Sequence, residues 1–186
     1  MRRRSLDRIL SVTGLVVAVV LAIAGVLLMW GGNFAHNTVT TELTSQKINF
    51  DADAANLPPE LAQYAGQPVT DGALAKAYSD LIGVHVQGIA DGKTYSEVSE
   101  EWIAGGRSDE TLAGQRQTLF MGETLRGMLL NAYAFWTFGT IAIIGAWVLW
   151  AAALLLLVLA VLGFRHLGKT SESEAVFEPK DPVSVA

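Results

Sequence analysis

Apolar positions fall into two blocks along this chain. From Ile9 to Thr41 there is no Asp, Glu, Lys or Arg. Residues 9–30 form 22 almost wholly apolar positions, with only Ser11 and Thr13 as hydroxyl side chains. At a rise of ~1.5 Å per residue this is about 33 Å of helix, enough to cross a hydrocarbon core of ~30 Å. Arg2, Arg3 and Arg4 precede the block, as in a signal peptide. The run exceeds the ~7–15 residues of an ordinary signal core, and no small-x-small cleavage site follows Trp30, so the pattern predicts an uncleaved anchor. The second block, residues 127–164, is 38 positions without charge. Two spans and a turn would need more residues and a polar break, and no Pro, Asn or Asp interrupts 134–164. One long span is expected at 134–164, with residues 128–133 continuing the helix out of the lipid.

Between the blocks the periodicity is helical. Residues 38–50 lack Gly and Pro and extend the first helix, with Val39, Leu43 and Phe50 on a stripe. Residues 51–68 mix Asp, Asn and Gly with Pro58-Pro59, which is loop chemistry. Leu74, Tyr78, Leu81, Ile82, His85 and Ile89 recur at spacings of three and four, predicting a helix over 73–90 with that face inward. Asp71 can cap it and Asp91-Gly92 can end it. Thr94-x-x-Glu97 is a capping box opening a short helix to Ile103, with Tyr95, Val98 and Trp102 inward. Gly105-Gly106 breaks that helix, and Ser108 followed by Asp109 and Glu110 starts another. No Pro occurs between Ser108 and Phe164, so one continuous helix is expected over about 109–166.

Charge orients the spans. Arg2, Arg3, Arg4 and Arg8 flank the first, and Arg165, His166 and Lys169 follow the second, so both ends read as cytoplasmic. The segment 31–126 carries 6 basic and 13 acidic residues, a net of −7, which suits an exported loop. Trp30, Tyr133 and Trp136 would anchor the outer interface. The expected organisation is therefore a basic tail at 1–8, a first span at 9–30, an extracytoplasmic helical domain at 31–133, a second span at 134–164 and a disordered cytoplasmic tail at 165–186. Residues 170–186 are polar, acidic and Pro-containing. Ser171 and Ser173 there are candidate phosphorylation positions on composition alone. The whole chain of 186 residues has a net charge of −5, against the basic face that nucleic acid requires, and no cysteine, so no disulfide or thiolate chemistry.

Catalytic patterns are missing. There is no phosphate-cradling G-x-x-x-x-G-K-[ST], no G-x-S-x-G elbow and no H-E-x-x-H helix. His36, His85 and His166 are far apart in sequence, and the expected topology places His36 and His166 on opposite sides of the bilayer. The acidic pairs and triplets Asp51/Asp53 and Glu97/Glu100/Glu101 lack calcium-loop spacing and read as solvated surface. No charge lies within either span, against an ion or proton pathway. Ala18, Ala22 and Gly25 on the first span, and Gly139, Ala142 and Ala146 on the second, let helices approach closely. Trp147 and Trp150 fall near mid-bilayer, deeper than indoles prefer, and mark either a protein contact or a span that sits lower.

The stretches from Tyr64 to Val69, from Ala75 to His85 and from Ala90 to Val98 resemble an uncharacterised family of actinobacterial two-span membrane proteins with a helical extracytoplasmic domain. The resemblance implies architecture and location. Ring-opening dioxygenase chemistry, attached to some similar chains, needs two His and one carboxylate on iron, an arrangement not visible here.

The expectation is an all-α membrane protein: two antiparallel transmembrane helices and a small helical extracytoplasmic domain built on their extensions. It reads as a non-enzymatic, multi-pass protein of the bacterial cell membrane, in contact with the lipid bilayer and with a membrane or envelope protein partner. No nucleic acid, cofactor or metal is expected. Candidate interaction residues are Tyr78, His85, Tyr95, Trp102, Trp147 and Trp150. One alternative is a sensor-like module that binds a ligand and signals through a separate partner. A second is a metal enzyme using His85 and nearby carboxylates.

Overall fold

The computed structural model describes residues 3–168, with side chains from Ser5 onward. The expectations for Arg2, for the side chains of Arg3 and Arg4, for Lys169 and for residues 170–186, including Ser171 and Ser173, lie outside the described residues. Within them the chain is all-helical, without strands: α1 at Arg3–Gln46, α2 at Gly72–Ile89, α3 at Tyr95–Ala104 and α4 at Glu110–Leu167, with single 3-10 turns at Ala54–Asn56 and Ala62–Tyr64. Helices α1 and α4 are both long and apolar enough to cross a membrane.

Local chemistry sets the helix ends. Asp71 accepts from the Leu74 N–H at 2.8 Å and starts α2. Thr94 and Glu97 form both halves of the capping box on α3. At the start of α4 the cap is Asp109, not Ser108. Its carboxylate accepts from the N–H groups of Thr111 and Leu112, whereas the Ser108 hydroxyl turns back to the Gly105 carbonyl. A carboxylate also suits the positive end of the helix dipole better than a neutral hydroxyl.

The chain divides into two compact units. Among the described residues, one comprises 3–30 with 142–168. Its buried positions are small and recur every seven residues: Ser11, Ala18 and Gly25 on α1, and Ala146, Ala153 and Ala160 on α4. A period of seven keeps one seam facing the partner helix. Along it, an added Cβ at Gly14 would touch Ala160, one at Gly25 would fall on the Trp150 ring, one at Gly145 would touch Leu28 and one at Gly163 would fall on Ser11. The seam therefore follows sevens, and Ala22 stays half-buried beside it. The large side chains point outward: the most apolar window of each long helix is only 11 % buried.

The other unit is Gly31–Ile141. Its main core joins Val39, Leu43, Phe50, Leu57, Leu61, Val69, Ala75, Ala77, Leu81 and Leu129. The expected stripe Val39, Leu43 and Phe50 is buried in it. The loop after α1 is fastened by backbone bonds from Phe50 to Gln67 and from Val69 to Ile48. The acids Asp51 and Asp53 are used locally, accepting from the N–H groups of Asp53 and Ala55. Helix α2 meets the expectation in part: of the predicted face Leu81 is buried and Leu74, Tyr78 and Ile82 pack against the main core, whereas His85 and Ile89 are exposed. A second buried line, which the periodicity did not point to, is the small side Gly72, Ala75, Ser79, Gly83 and Val86. Gly72 accommodates Trp136, Gly83 accommodates the Arg126 guanidinium, and Val86 fills the notch at Gly122. Small residues win the contact with α4 because they let a second helix come close, an effect invisible to a count of large apolar side chains. A smaller cluster of Val86, Ala90, Val98 and Leu119 holds α3 in place.

Candidate functional site

The six candidate residues do not form one site. In the Gly31–Ile141 unit, Tyr78 packs into the main core, its ring edge-on to Phe50 at 5.2 Å between centroids. His85 is exposed on α2. In the other unit Trp147 and Trp150 meet edge to face at 5.3 Å. The Trp150 ring lies over Gly25 and its Nε1–H donates to the Ala22 carbonyl at 3.2 Å, so this indole is satisfied within the chain. Trp147 is 62 % exposed.

Tyr95 and Trp102 do come together, around a residue the sequence had not singled out. Both lie on the side of α3 that carries the buried Val98, and Arg116 reaches them from α4. Its guanidinium carbon is 4.7 Å from the Trp102 ring centroid and 5.7 Å from that of Tyr95. Its Nε donates to Ser99 Oγ at 3.2 Å, which fixes the plane of the fork. Arg107 approaches the same indole at 6.0 Å. It gets there through the turn after α3, where Gly106 and Arg107 both adopt left-handed backbone angles (φ 74 and 63) and the Arg107 N–H donates to the Trp102 carbonyl. Gly takes that conformation freely, but an arginine there carries strain that the turn must hold. Guanidinium over indole is favourable because the ring face is electron-rich.

Electrostatics around the site follow from these contacts. The Tyr95 phenol is held below its ordinary value, first by a hydrogen bond with Ser99 and then by Arg116. Glu97 is held low because it accepts from the backbone N–H and then the hydroxyl of Thr94. Lys93 is pushed up by its hydrogen bonds to Glu101, against a smaller effect of burial. A pocket of about 200 Å³ lies beside Arg116, walled by Tyr95, Gln117 and Phe120.

A second polar cluster in this unit joins residues 100 positions apart. The His36 ring stacks on Trp136 at 3.8 Å and 7°, and its Nε2 lies 3.1 Å from the Trp136 carbonyl and 3.0 Å from Thr140 Oγ1. A carbonyl oxygen only accepts, so Nε2 carries the proton. A Cβ at Gly139 would collide with His36, Ala35 and the Gly32 carbonyl, so glycine is what admits the ring. Trp136 thus faces His36 and Gly72. Nothing in the local sequence signals this pair. An open groove of about 450 Å³ also lies in this unit, between Thr38, Glu42 and Gln46 of α1 and Leu125, Met128 and Phe135 of α4. Among the described residues no three His, Asp or Glu side chains converge as metal ligands.

No family model, curated protein or solved structure matches the chain.

Proposed function

We propose that this is a non-enzymatic integral protein of a bacterial cell membrane, an accessory or interaction subunit that presents a helical extracytoplasmic domain. The observation that carries the reading is the inversion of α1 and α4 over their apolar stretches: small residues inside, large apolar residues outside. In water such a surface is unfavourable at roughly 25 cal/mol per Å², whereas lipid covers it without cost. Residues 9–30 and 134–164 are the two spans. The contacts Ser11 to Gly163, Gly14 to Ala160 and Leu28 to Gly145 run in reverse order, which supports an antiparallel pair with both termini on one side; the basic residues flanking the spans favour the cytoplasm as that side. The domain between them, with its net negative charge and its aromatic–arginine cluster, is the part offered to envelope partners. Membership of the actinobacterial two-span family is part of the same proposal.

The chain contains no cysteine, so single thiols report topology cleanly. Gln63 and Ser5 are both exposed. A membrane-impermeant maleimide should label Gln63→Cys in intact cells and Ser5→Cys only after the cytoplasmic side is opened. Equal labelling of the two, or release of the protein by alkaline carbonate, would refute the reading.

A further inference from the structure

The segment 31–126 is acidic, and three of its six cations are paired with its own carboxylates. Lys76 pairs with Asp80, Lys93 with Glu101 and Arg126 with Glu123. Arg107 and Arg116 behave differently. They come from the turn after α3 and from α4, converge on one indole, and among the described residues neither has a carboxylate within ion-pair reach. Two of the three acids on α3 are otherwise engaged: Glu97 caps its own helix and Glu101 holds Lys93. The indole N–H of Trp102 is buried and has no acceptor. A buried donor without a partner is unfavourable, and two cations held on one ring repel each other. An anion beside the two guanidinium groups relieves their repulsion, and the indole between them reports its arrival.

We propose that Arg107 and Arg116 form a receptor for a carboxylate carried on a planar apolar body, which rests against Tyr95 and Phe120. Arg116 offers a rigid fork because Ser99 fixes its Nε, and a planar fork matches a carboxylate in two places. The adjoining pocket of about 200 Å³ is smaller than the ~300–1,000 Å³ of sites for larger ligands, so it takes a single ring. Its walls are the Tyr95 and Phe120 rings, with centroids 5.8 Å apart, and the Gln117 amide can bond a polar edge. Aromatic walls beside a guanidinium favour a carboxylate with an apolar body over bare phosphate, which needs donors on all sides. This site goes beyond the membrane reading and does not depend on it.

The test uses the full chain in detergent at low salt, because an exposed charge pair is screened as salt rises. The probes are benzoate, its neutral counterpart benzamide, and inorganic phosphate. The readout is the indole N–H resonance of Trp102, assigned by its loss in Trp102→Phe. Benzoate should move that resonance saturably, and benzamide and phosphate should not. Arg107→Gln changes only the exposed arginine and should weaken benzoate by about two- to fivefold, the size expected for one exposed charged contact. Lys76→Gln, away from the cluster, should leave binding unchanged. The proposal is overturned if benzoate leaves the resonance in place, if benzamide or phosphate moves it equally, or if Arg107→Gln binds benzoate as the parent does.

Discussion

The packing of α2 on α4 makes one substitution, Gly→Ala, act with opposite sign at two positions of the same helix. A methyl added at Gly127 meets nothing within 4 Å. Alanine there removes the backbone freedom of glycine and should stabilise by about 1 kcal/mol. The same gain applies at Gly122, five residues earlier, but the new methyl lands on Cγ2 of Val86, with Ile82 also in contact. Val86 is 6 % exposed and β-branched, so it has little room to rotate away. Overpacking of this kind costs roughly 1–3 kcal/mol, and after the ~1 kcal/mol helix gain a net loss of about 0–2 kcal/mol remains. For a chain of this size 1 kcal/mol moves Tm by about 2–4 °C. Gly127→Ala should therefore raise Tm by about 2–4 °C, and Gly122→Ala should lower it by up to about 8 °C. Thermal unfolding in detergent, followed by near-ultraviolet circular dichroism, measures both. Repeating Gly122→Ala in a Val86→Ala background closes the argument, because the obstructing methyl is then gone and the substitution should stabilise. If Gly122→Ala raises Tm as much as Gly127→Ala in the parent chain, or acts identically in both backgrounds, the proposed α2–α4 contact is wrong.

Further outcomes follow from the caps and the tryptophans. Thr94→Ala should cost about 1 kcal/mol, measured by thermal unfolding. Because the folded value of Glu97 is depressed, its contribution is complete above the ordinary 4.5 and is lost as pH falls through the lower folded value. Glu97→Gln should abolish that acid-side loss, and an unchanged pH profile would remove the capping box from the account. Trp150→Phe loses the bond to the Ala22 carbonyl and should destabilise by about 0.5–1.5 kcal/mol, whereas Trp147→Phe, at a largely exposed ring, should change stability by less than about 0.5 kcal/mol. Equal effects at the two positions would contradict the placement of the rings.

The extents of the helices were legible because the forces that set them are local. A capping side chain reaches two or three residues, as Asp71 and Thr94 do, and an uninterrupted apolar run without Pro leaves a helix no reason to stop. The expected start near 109 and end near 166 of the last helix differ by one residue from Glu110–Leu167. The two apolar helices and the all-helical class followed from the same reading. On α2 the large side chains Leu74, Tyr78, Leu81 and Ile82 reach the core as their spacing predicts, but His85 and Ile89 stay exposed and Gly72, Gly83 and Val86 take the contact with α4, which a count of large apolar residues does not reveal.

Hydropathy, charge blocks and caps written along the chain therefore determined which segments are helical and which two are apolar enough for lipid. Tertiary structure alone decided which side chains meet: Trp150 with Ala22, His36 with Trp136, and Arg107 and Arg116 with Trp102. The physical reason is range. Caps and periodicity act within a turn or two of helix, but most of these contacts join side chains from different helices, and Arg107 reaches Trp102 only through the left-handed turn after α3; no local pattern in the chain encodes which notch receives which ring.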